Sequence, residues 1–385
     1  MMPPLGFTKT PLNTPYCRYN KGLVRTLLDD PMKLRVFLIV LPLFFTACSG
    51  PHEAVLEGQA QGTTWQVKLV TEGGDMKVDE IRQDIEAAFQ LIDRQLSNWR
   101  EDSEISQFNR LKDTEWHPVA GAIVELVQVG KTIHALSDGC YDLTVKPLFS
   151  LWGFAQHHLT IPDPSAIKNA MTHIGMDKLD IDVEGHRLRK QDPALEITVD
   201  SIAQGYTVAV ISRLIESRGF TQYLVEVGGE MRVRGRKGDG SPWRVAIEKP
   251  SPMTREVQRV LDLHEEKGIA IMTSGTYRNF FEESGTRYSH IIDPRTGQPV
   301  THHLLSTTVL HDDPTLADAW STALLCVGEK EAQRISEAEG LQSLIIYEDQ
   351  HKLIEVMSSR FKALPEVLED APSPPAVASE KDTGL

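Results

Sequence analysis

Positive charge is in short supply in this chain: 40 lysines and arginines face 54 aspartates and glutamates, a formal net charge of −14 over 385 residues. No basic stripe interrupts that balance, which excludes nucleic acid as a partner. Cysteine is scarce as well. The four, Cys17, Cys48, Cys140 and Cys326, lack metal-type spacing and form no dense disulfide framework. The apolar run Val36 to Phe45 has only ten residues, too few to cross a bilayer as an ordinary helix. No repeat or low-complexity run marks a domain boundary in the polar stretch from His157 to Asp192. What remains is an ordinary globular composition, 41% apolar and 24% charged, enough for one large domain or two small ones.

The N-terminus reads as a targeting segment. Met32-Lys33-Leu34-Arg35 has the form of a true start and basic leader, and the apolar run ends in Phe45-Thr46-Ala47-Cys48-Ser49-Gly50. That ending resembles a bacterial lipoprotein signal, with Phe45 where Leu is usual; a plain signal segment is the alternative. The expectation is that residues 1–47 are upstream sequence and signal. The mature chain then starts at an acylated Cys48, held in the cell envelope by its lipid and facing the periplasm. Residues 48–57 form a tether, 58–362 a single domain and 363–385 a disordered tail. In that oxidising compartment Cys140 and Cys326 are able to pair, though no sequence feature requires it.

Within the domain, Gly58 to Val70 opens with a Gly-rich turn and alternates into a strand. Ile81, Ile85, Ala88, Phe89, Ile92 and Leu96 recur at helical spacing. A second helix runs over Val119 to Leu136, with Ile123, Leu126, Val127, Ile133 and Leu136 inward. Trp152-Gly153-Phe154 reads as an aromatic core plug, and Glu184-Gly185 as a hairpin tip. A third helix opens near Ile202, with Tyr206, Val210 and Leu214 inward and Gly219 at its end. Its N-terminal amides suit a pyrophosphate. Strands over 222–227, 243–248, 257–263 and 268–273 follow. A final helix pair and two strands, 343–347 and 353–357, complete the core. Strands and helices come in runs without repeated βαβ units, which predicts an α+β fold.

Two stretches carry chemistry. In Ser289-His290-Ile291-Ile292-Asp293-Pro294-Arg295-Thr296-Gly297 the isoleucines predict a short buried strand and Asp293-Pro294 with Gly297 a tight turn. His290 is thereby expected on an ordered strand, where a general base can be held; a part-buried structural histidine is the plainer reading. In Thr315-Leu316-Ala317-Asp318-Ala319-Trp320-Ser321-Thr322 a carboxylate and a hydroxyl share one helical face, hard oxygens that suit magnesium. Thr315-x-x-Asp318 also matches a capping box, which would make Asp318 a helix cap.

Together with Ser274-Gly275-Thr276-Tyr277-Arg278, these stretches resemble, in order and spacing, the FAD:protein FMN transferases (the ApbE flavin transferases). The resemblance extends over about residues 58 to 358. It implies a single ApbE-like, T-fold-related α+β domain with an antiparallel sheet packed by helices. It implies Mg²⁺-dependent transfer of FMN from FAD, the substrate, to a Ser or Thr hydroxyl of a target protein, giving a phosphoester-linked flavin and AMP. The partner it implies is an acceptor subunit of a membrane redox complex.

Residue by residue, Ser97-Asn98-Trp99 and Ser103-Glu104-Ile105-Ser106 match family motifs, and Trp99 takes the aromatic position against the isoalloxazine. Cys140-Tyr141-Asp142 matches the family's Phe-Asp segment and lines the flavin pocket, with Ile292 beside it. Gln61 replaces a Met in the first strand. In Thr198-Val199-Asp200-Ser201-Ile202-Ala203-Gln204-Gly205-Tyr206, Thr198 falls at a family Asp, Gln204 at a Lys and Ser201 at a residue giving a metal ligand. Asp200 stands two residues from the missing carboxylate. By this resemblance Asp318, Thr322 and the Ser201 carbonyl bind the metal, His290 is the base, and Gln61, Thr198 and Gln204 meet the cofactor. Water in place of the acceptor would make the same site an FAD pyrophosphatase. The altered 198–204 segment leaves open a flavin-binding lipoprotein without turnover; retention of His290, Asp318 and Thr322 argues against it.

Overall fold

The computed structural model describes residues 51–71, 78–155, 159–251, 256–277, 280–283 and 286–364. Cys48, the signal segment, Arg278 and residues 365–385 lie outside them. Eight strands form one antiparallel sheet: β1 (His52–Ala60), β2 (Thr63–Thr71), β3 (Tyr223–Val227), β4 (Glu230–Arg234), β5 (Ile269–Gly275), β6 (Leu304–His311), β7 (Gln342–Asp349) and β8 (Lys352–Met357). Their order across the sheet is their order along the chain. The expected α+β sheet packed by helices is therefore present, and His52 to Glu57, expected in the tether, are strand paired with β2.

Both faces of this sheet are buried, and the pleat sorts side chains between them. Tyr223, Val225 and Val227 join the core on the helical side, while Leu224 joins the core on the other. Ala270 and Met272 likewise oppose Ile269 and Ile271. That is why Ile269-Ala270-Ile271-Met272 is apolar throughout instead of alternating. The far face is closed by the hairpin Trp243–Glu248/Val257–Leu263 and by Phe361.

On the helical side lie α1 (Val78–Leu96), α2 (Gly121–Leu136), α3 (Ala203–Ser217) and α4 (Pro314–Val327). The stripe Ile81, Ile85, Phe89, Ile92 and Leu96 of α1 is buried as its spacing predicts. On α2, Ile123, Leu126, Val127 and Ile133 are buried, but Leu136, expected inward, is 39% exposed at the last residue. The third helix starts at Ala203, and its buried positions are Thr207, Val208, Ile211 and Ile215 beside Tyr206. Val210 and Leu214, expected inward, are half-buried at the margin of the core.

Helix α4 is buried on nearly every side. Its cap is Asp313, whose side chain accepts from Thr315 N and Leu316 N, with Pro314 in the first turn. Asp318 is therefore not the capping residue. A separate cluster of Leu148, Trp152, Phe154, Ile167, Ile174 and Ile292 forms the plug expected from Trp152-Gly153-Phe154.

Candidate active site

The ends of these elements surround one cavity of about 1250 Å³. Every site residue expected from the sequence lines it, save Cys48 beyond the described residues. Its walls differ in construction.

The inner wall is made where α3 meets α4. Gly205 permits this contact: a Cβ there would stand 2.4 Å from the Pro314 carbonyl and 2.5 Å from Asp318 Cβ. The resulting approach lets Gly205 N donate to Asp318 Oδ2 at 2.8 Å. The first amides of α3 are thus largely committed, since Ala203 N donates to Val199 O and Tyr206 N to Ile202 O. The anion at this helix end is a carboxylate of the protein, where a pyrophosphate was expected. One turn along α4, the Thr322 hydroxyl lies 3.0 Å from Ser274 Oγ and 3.5 Å from the Ser201 carbonyl. Three hard oxygens, from Asp318 and Thr322 on α4 and from Ser201 in the turn before α3, so line this wall.

A fourth oxygen source is Glu230, the first residue of β4. Gly228 and Gly229, with φ of 64° and 100°, make the two-residue turn that aims it inward. Its carboxylate accepts from Thr273 N at 3.1 Å. The only sequence signal for it was the Gly228-Gly229-Glu230 turn, which reads as a turn more readily than as a site. Burial pushes the Asp318 carboxyl up to about 7, and burial together with the nearby Asp318 charge pushes Glu230 well up too. Among the described residues no cationic side chain acts on either group.

The outer wall is looser. Trp99 is 63% exposed at the mouth, so it is no core tryptophan. Asn98 behind it donates to Thr198 Oγ1 and Asp200 Oδ1, at 3.0 and 3.1 Å. Thr198, at the family Asp position, and Asp200, two residues on, thus serve one asparagine. Tyr141 is buried beside them, with Ser201 Oγ donating to its hydroxyl at 3.1 Å. Burial pushes the Asp142 carboxyl up as well; Thr144 N and Oγ1 donate to it. Gln61 sits at the β1–β2 tip with φ of 53°, its amide oxygen 3.2 Å from Thr207 Oγ1. Gln204 packs so closely on Gly228 that a Cβ there would meet its amide nitrogen at 2.5 Å.

His290 is half-buried and also faces the cavity. It is not on a strand. The strand Thr286–Ser289 ends before it, and the Ser289 hydroxyl turns the chain by accepting from Ile291 N at 3.1 Å. Ile291 stays half-buried, and only Ile292–Asp293 pairs, with Gln298–Pro299. The turn at Asp293-Pro294 is as expected: Thr296 N and Gly297 N both donate to Asp293 O. Cys140 and Cys326, which the sequence left free to pair, are joined by a disulfide.

The charge balance of the cavity is informative. Among the described residues Asp93, Asp142, Asp200, Glu230 and Asp318 line it, against Arg100 as the guanidinium, itself paired with Asp102. That lining favours a cation beside any phosphate that enters. Buried carboxylates without a basic partner, next to a hydroxyl and a carbonyl, fit a small divalent ion.

Comparisons with known proteins identify a family. Residues 61–345 match the ApbE family. The FAD:protein FMN transferase of Klebsiella pneumoniae is 38% identical over 313 residues, 80% of this chain and 88% of that protein. The solved flavin transferase ApbE from Vibrio cholerae superposes with a TM-score of 0.75 at 34% identity, covering 82% of this chain and all of that one. The flavinyl transferase ApbE of Pseudomonas stutzeri, in its apo form, gives a TM-score of 0.75 at 35% identity, with 82% and 97% covered.

Proposed function

The chain belongs to the ApbE family, and from that membership we propose how its cavity works. It is a flavin transferase, moving FMN from FAD to a target protein. The finer reading is that a Ser or Thr hydroxyl of the acceptor attacks the FMN phosphorus, a phosphoester forms, the pyrophosphate bond breaks, and AMP departs. The observation that carries it is the pairing of two buried, cation-free carboxylates with a half-buried imidazole around one cavity.

Asp318, Thr322 and the Ser201 carbonyl would hold Mg²⁺, with Glu230 facing the same space. When bound, that ion supplies the charge neutralisation and orientation that phosphoryl chemistry needs. Trp99 offers its exposed face to the isoalloxazine, and Cys140, Tyr141, Asp142 and Ile292 form the wall behind it. Gln61, Thr198 and Gln204 give neutral polar contacts, so they orient the dinucleotide without adding positive charge. His290 takes the proton of the acceptor hydroxyl. The open mouth lets a protein segment reach it.

The lipoprotein-like ending at Cys48 supports a chain held at the cell envelope by acyl groups, facing the periplasm, with a subunit of a membrane redox complex as acceptor. Mass spectrometry of membrane-expressed protein should find an acylated Cys48 as the first residue. A mature chain that keeps Met32 to Ala47, or lacks lipid, rejects that placement. For the reaction itself, an acceptor peptide should gain the mass of FMN less one water with Mg²⁺ present and none after chelation. Release of FMN and AMP at the same rate with the peptide left out would mark a pyrophosphatase instead.

A further inference from the structure

The disulfide is where three otherwise separate parts of the site meet. Cys326 follows Thr322 by four residues and Asp318 by eight, so all three share one face of α4. Cys140 opens the flavin wall and is bonded to Cys326 across 186 residues of sequence. The third part is the turn after His290. Arg295 grips Asp293 through two bonds of 2.9 and 2.8 Å and also places Nη2 3.2 Å from Cys140 Sγ. The ligand-type atoms of Cys140, Asp293 and Cys326 all lie within 4.8 Å of one another.

A closed ring runs through this junction. From Cys140 it passes along the backbone to Tyr141, whose hydroxyl is bonded to Ser201. The Ser201 carbonyl meets Thr322, and α4 leads from Thr322 back to Cys326. Two of the three oxygens assigned to the divalent ion are links of this ring. Every link but one is a backbone segment, a helix or a hydrogen bond; the S–S bond is the one that closes it covalently. Both cysteines are buried, at 3% and 4% exposure, which shields the bond inside the site.

We propose that Cys140–Cys326 is a positioning crosslink for the transfer reaction: it fixes the Asp318/Thr322 face of α4 against the flavin wall and the Asp293 turn. This rests on the metal-binding reading above. Opening the bond would leave Trp99 and its stacking face untouched, because Trp99 stands on another segment. It would loosen the spacing between Thr322 and the Ser201 carbonyl. The signature is therefore a split, with cation affinity lost and flavin affinity kept.

The test compares the full-length oxidised protein, the Cys326→Ser variant, which leaves Cys140 in the wall, and the wild-type protein reduced in place. A water-soluble phosphine does the last: it takes up the oxygen of one water, its two protons go to the sulfurs, and one S–S bond becomes two thiols. Mn²⁺ is the probe for cation affinity, read by its magnetic resonance signal, and FAD affinity is read by quenching of tryptophan fluorescence. In both opened forms we expect the Mn²⁺ dissociation constant and the Mg²⁺ needed for half-maximal transfer to rise about 10-fold or more, the usual effect of removing support behind metal ligands. FAD affinity should stay nearly unchanged.

A lower melting temperature with unchanged Mn²⁺ and FAD constants would make the bond a plain staple and overturn the proposal, as would equal losses of both ligands. If the variant does not fold, the reduced wild-type protein decides alone. Wild-type protein that fails to bind Mn²⁺ at all would remove the metal-binding reading and this inference with it. Wild-type binding with no change on opening removes the inference alone.

Discussion

The inner and outer walls of the cavity are built on opposite principles. At the α3–α4 contact the carboxylates of Asp318 and Glu230 are buried and fixed by backbone amides of Gly205 and Thr273. At the mouth, Trp99 is largely exposed and His290 stands on a bend between two short strands. Chemistry at a pyrophosphate needs charge held still in a place that water does not screen. Admission of a flavin ring and a protein hydroxyl needs a face that solvent can leave. The division of the cavity follows these two demands. Losses at the inner wall should therefore remove the reaction, and losses at the outer wall should thin out binding or a single proton transfer.

Asp318→Ala attacks the inner wall most directly and should have the largest effect. Losing the metal's share of charge stabilisation, several kcal/mol, corresponds to a fall in Mg²⁺-dependent transfer on the order of 10⁴-fold. FAD should still quench tryptophan fluorescence in the variant. Full transfer at limiting Mg²⁺ would erase the distinction between the walls.

His290→Ala comes next. A general base contributes roughly 10²–10⁴-fold, so single-turnover transfer to an acceptor peptide should fall by that factor with FAD affinity and melting temperature nearly unchanged. Joint loss of stability, FAD binding and transfer would assign His290 to holding the Asp293 turn. Near wild-type transfer would take it out of the mechanism.

Trp99→Ala sharpens the outer side. One stacked aromatic contact contributes about 0.5–1.5 kcal/mol, at most roughly a tenfold weakening of FAD. Because Trp99 is 63% exposed, the melting curve should not move. A drop in melting temperature would return it to the core.

The smallest effect is one of pH and belongs to the inner wall. The Asp318 carboxyl is pushed up to about 7 by burial, so below that pH a proton competes with the cation. One competing proton raises the Mg²⁺ needed for half-maximal transfer about fivefold between pH 7 and pH 6. Stability follows the same group with the opposite sense from an ordinary ion-paired carboxylate. The folded state keeps a proton that the unfolded chain has lost, so this group's contribution falls as pH rises from about 4 to about 7. Added Mg²⁺ should cancel that fall above pH 7, visible in melting curves. A pH-independent Mg²⁺ requirement would mean that Asp318 stays ionised in the cavity.

Much of this could be read from the chain alone. Helical spacing found the buried stripe of α1, the strand Trp243–Glu248 fell where its pattern put it, and the expected flavin, metal and base residues from Gln61 to Thr322 line one cavity. Local periodicity determines these because a strand or helix buries a face set by its own repeat. Linked motifs add chemical identity, which periodicity cannot supply. Where the reading erred, the deciding partner was remote or a single hydroxyl intervened. Asp318 matched a capping box, but Asp313 caps the helix and Asp318 answers to Gly205, 113 residues away. His290 looked like a strand residue until the Ser289 hydroxyl bent the chain before it.

The set of elements and the chemical cast of the site are thus legible in the chain. That Glu230 joins Asp318, that Trp99 is exposed and that Cys140 and Cys326 bond follow from the packed fold. Each depends on distances between segments far apart in the chain, and such distances are fixed by the packing of whole elements against one another, as at Gly205, where a missing side chain brings two helices together.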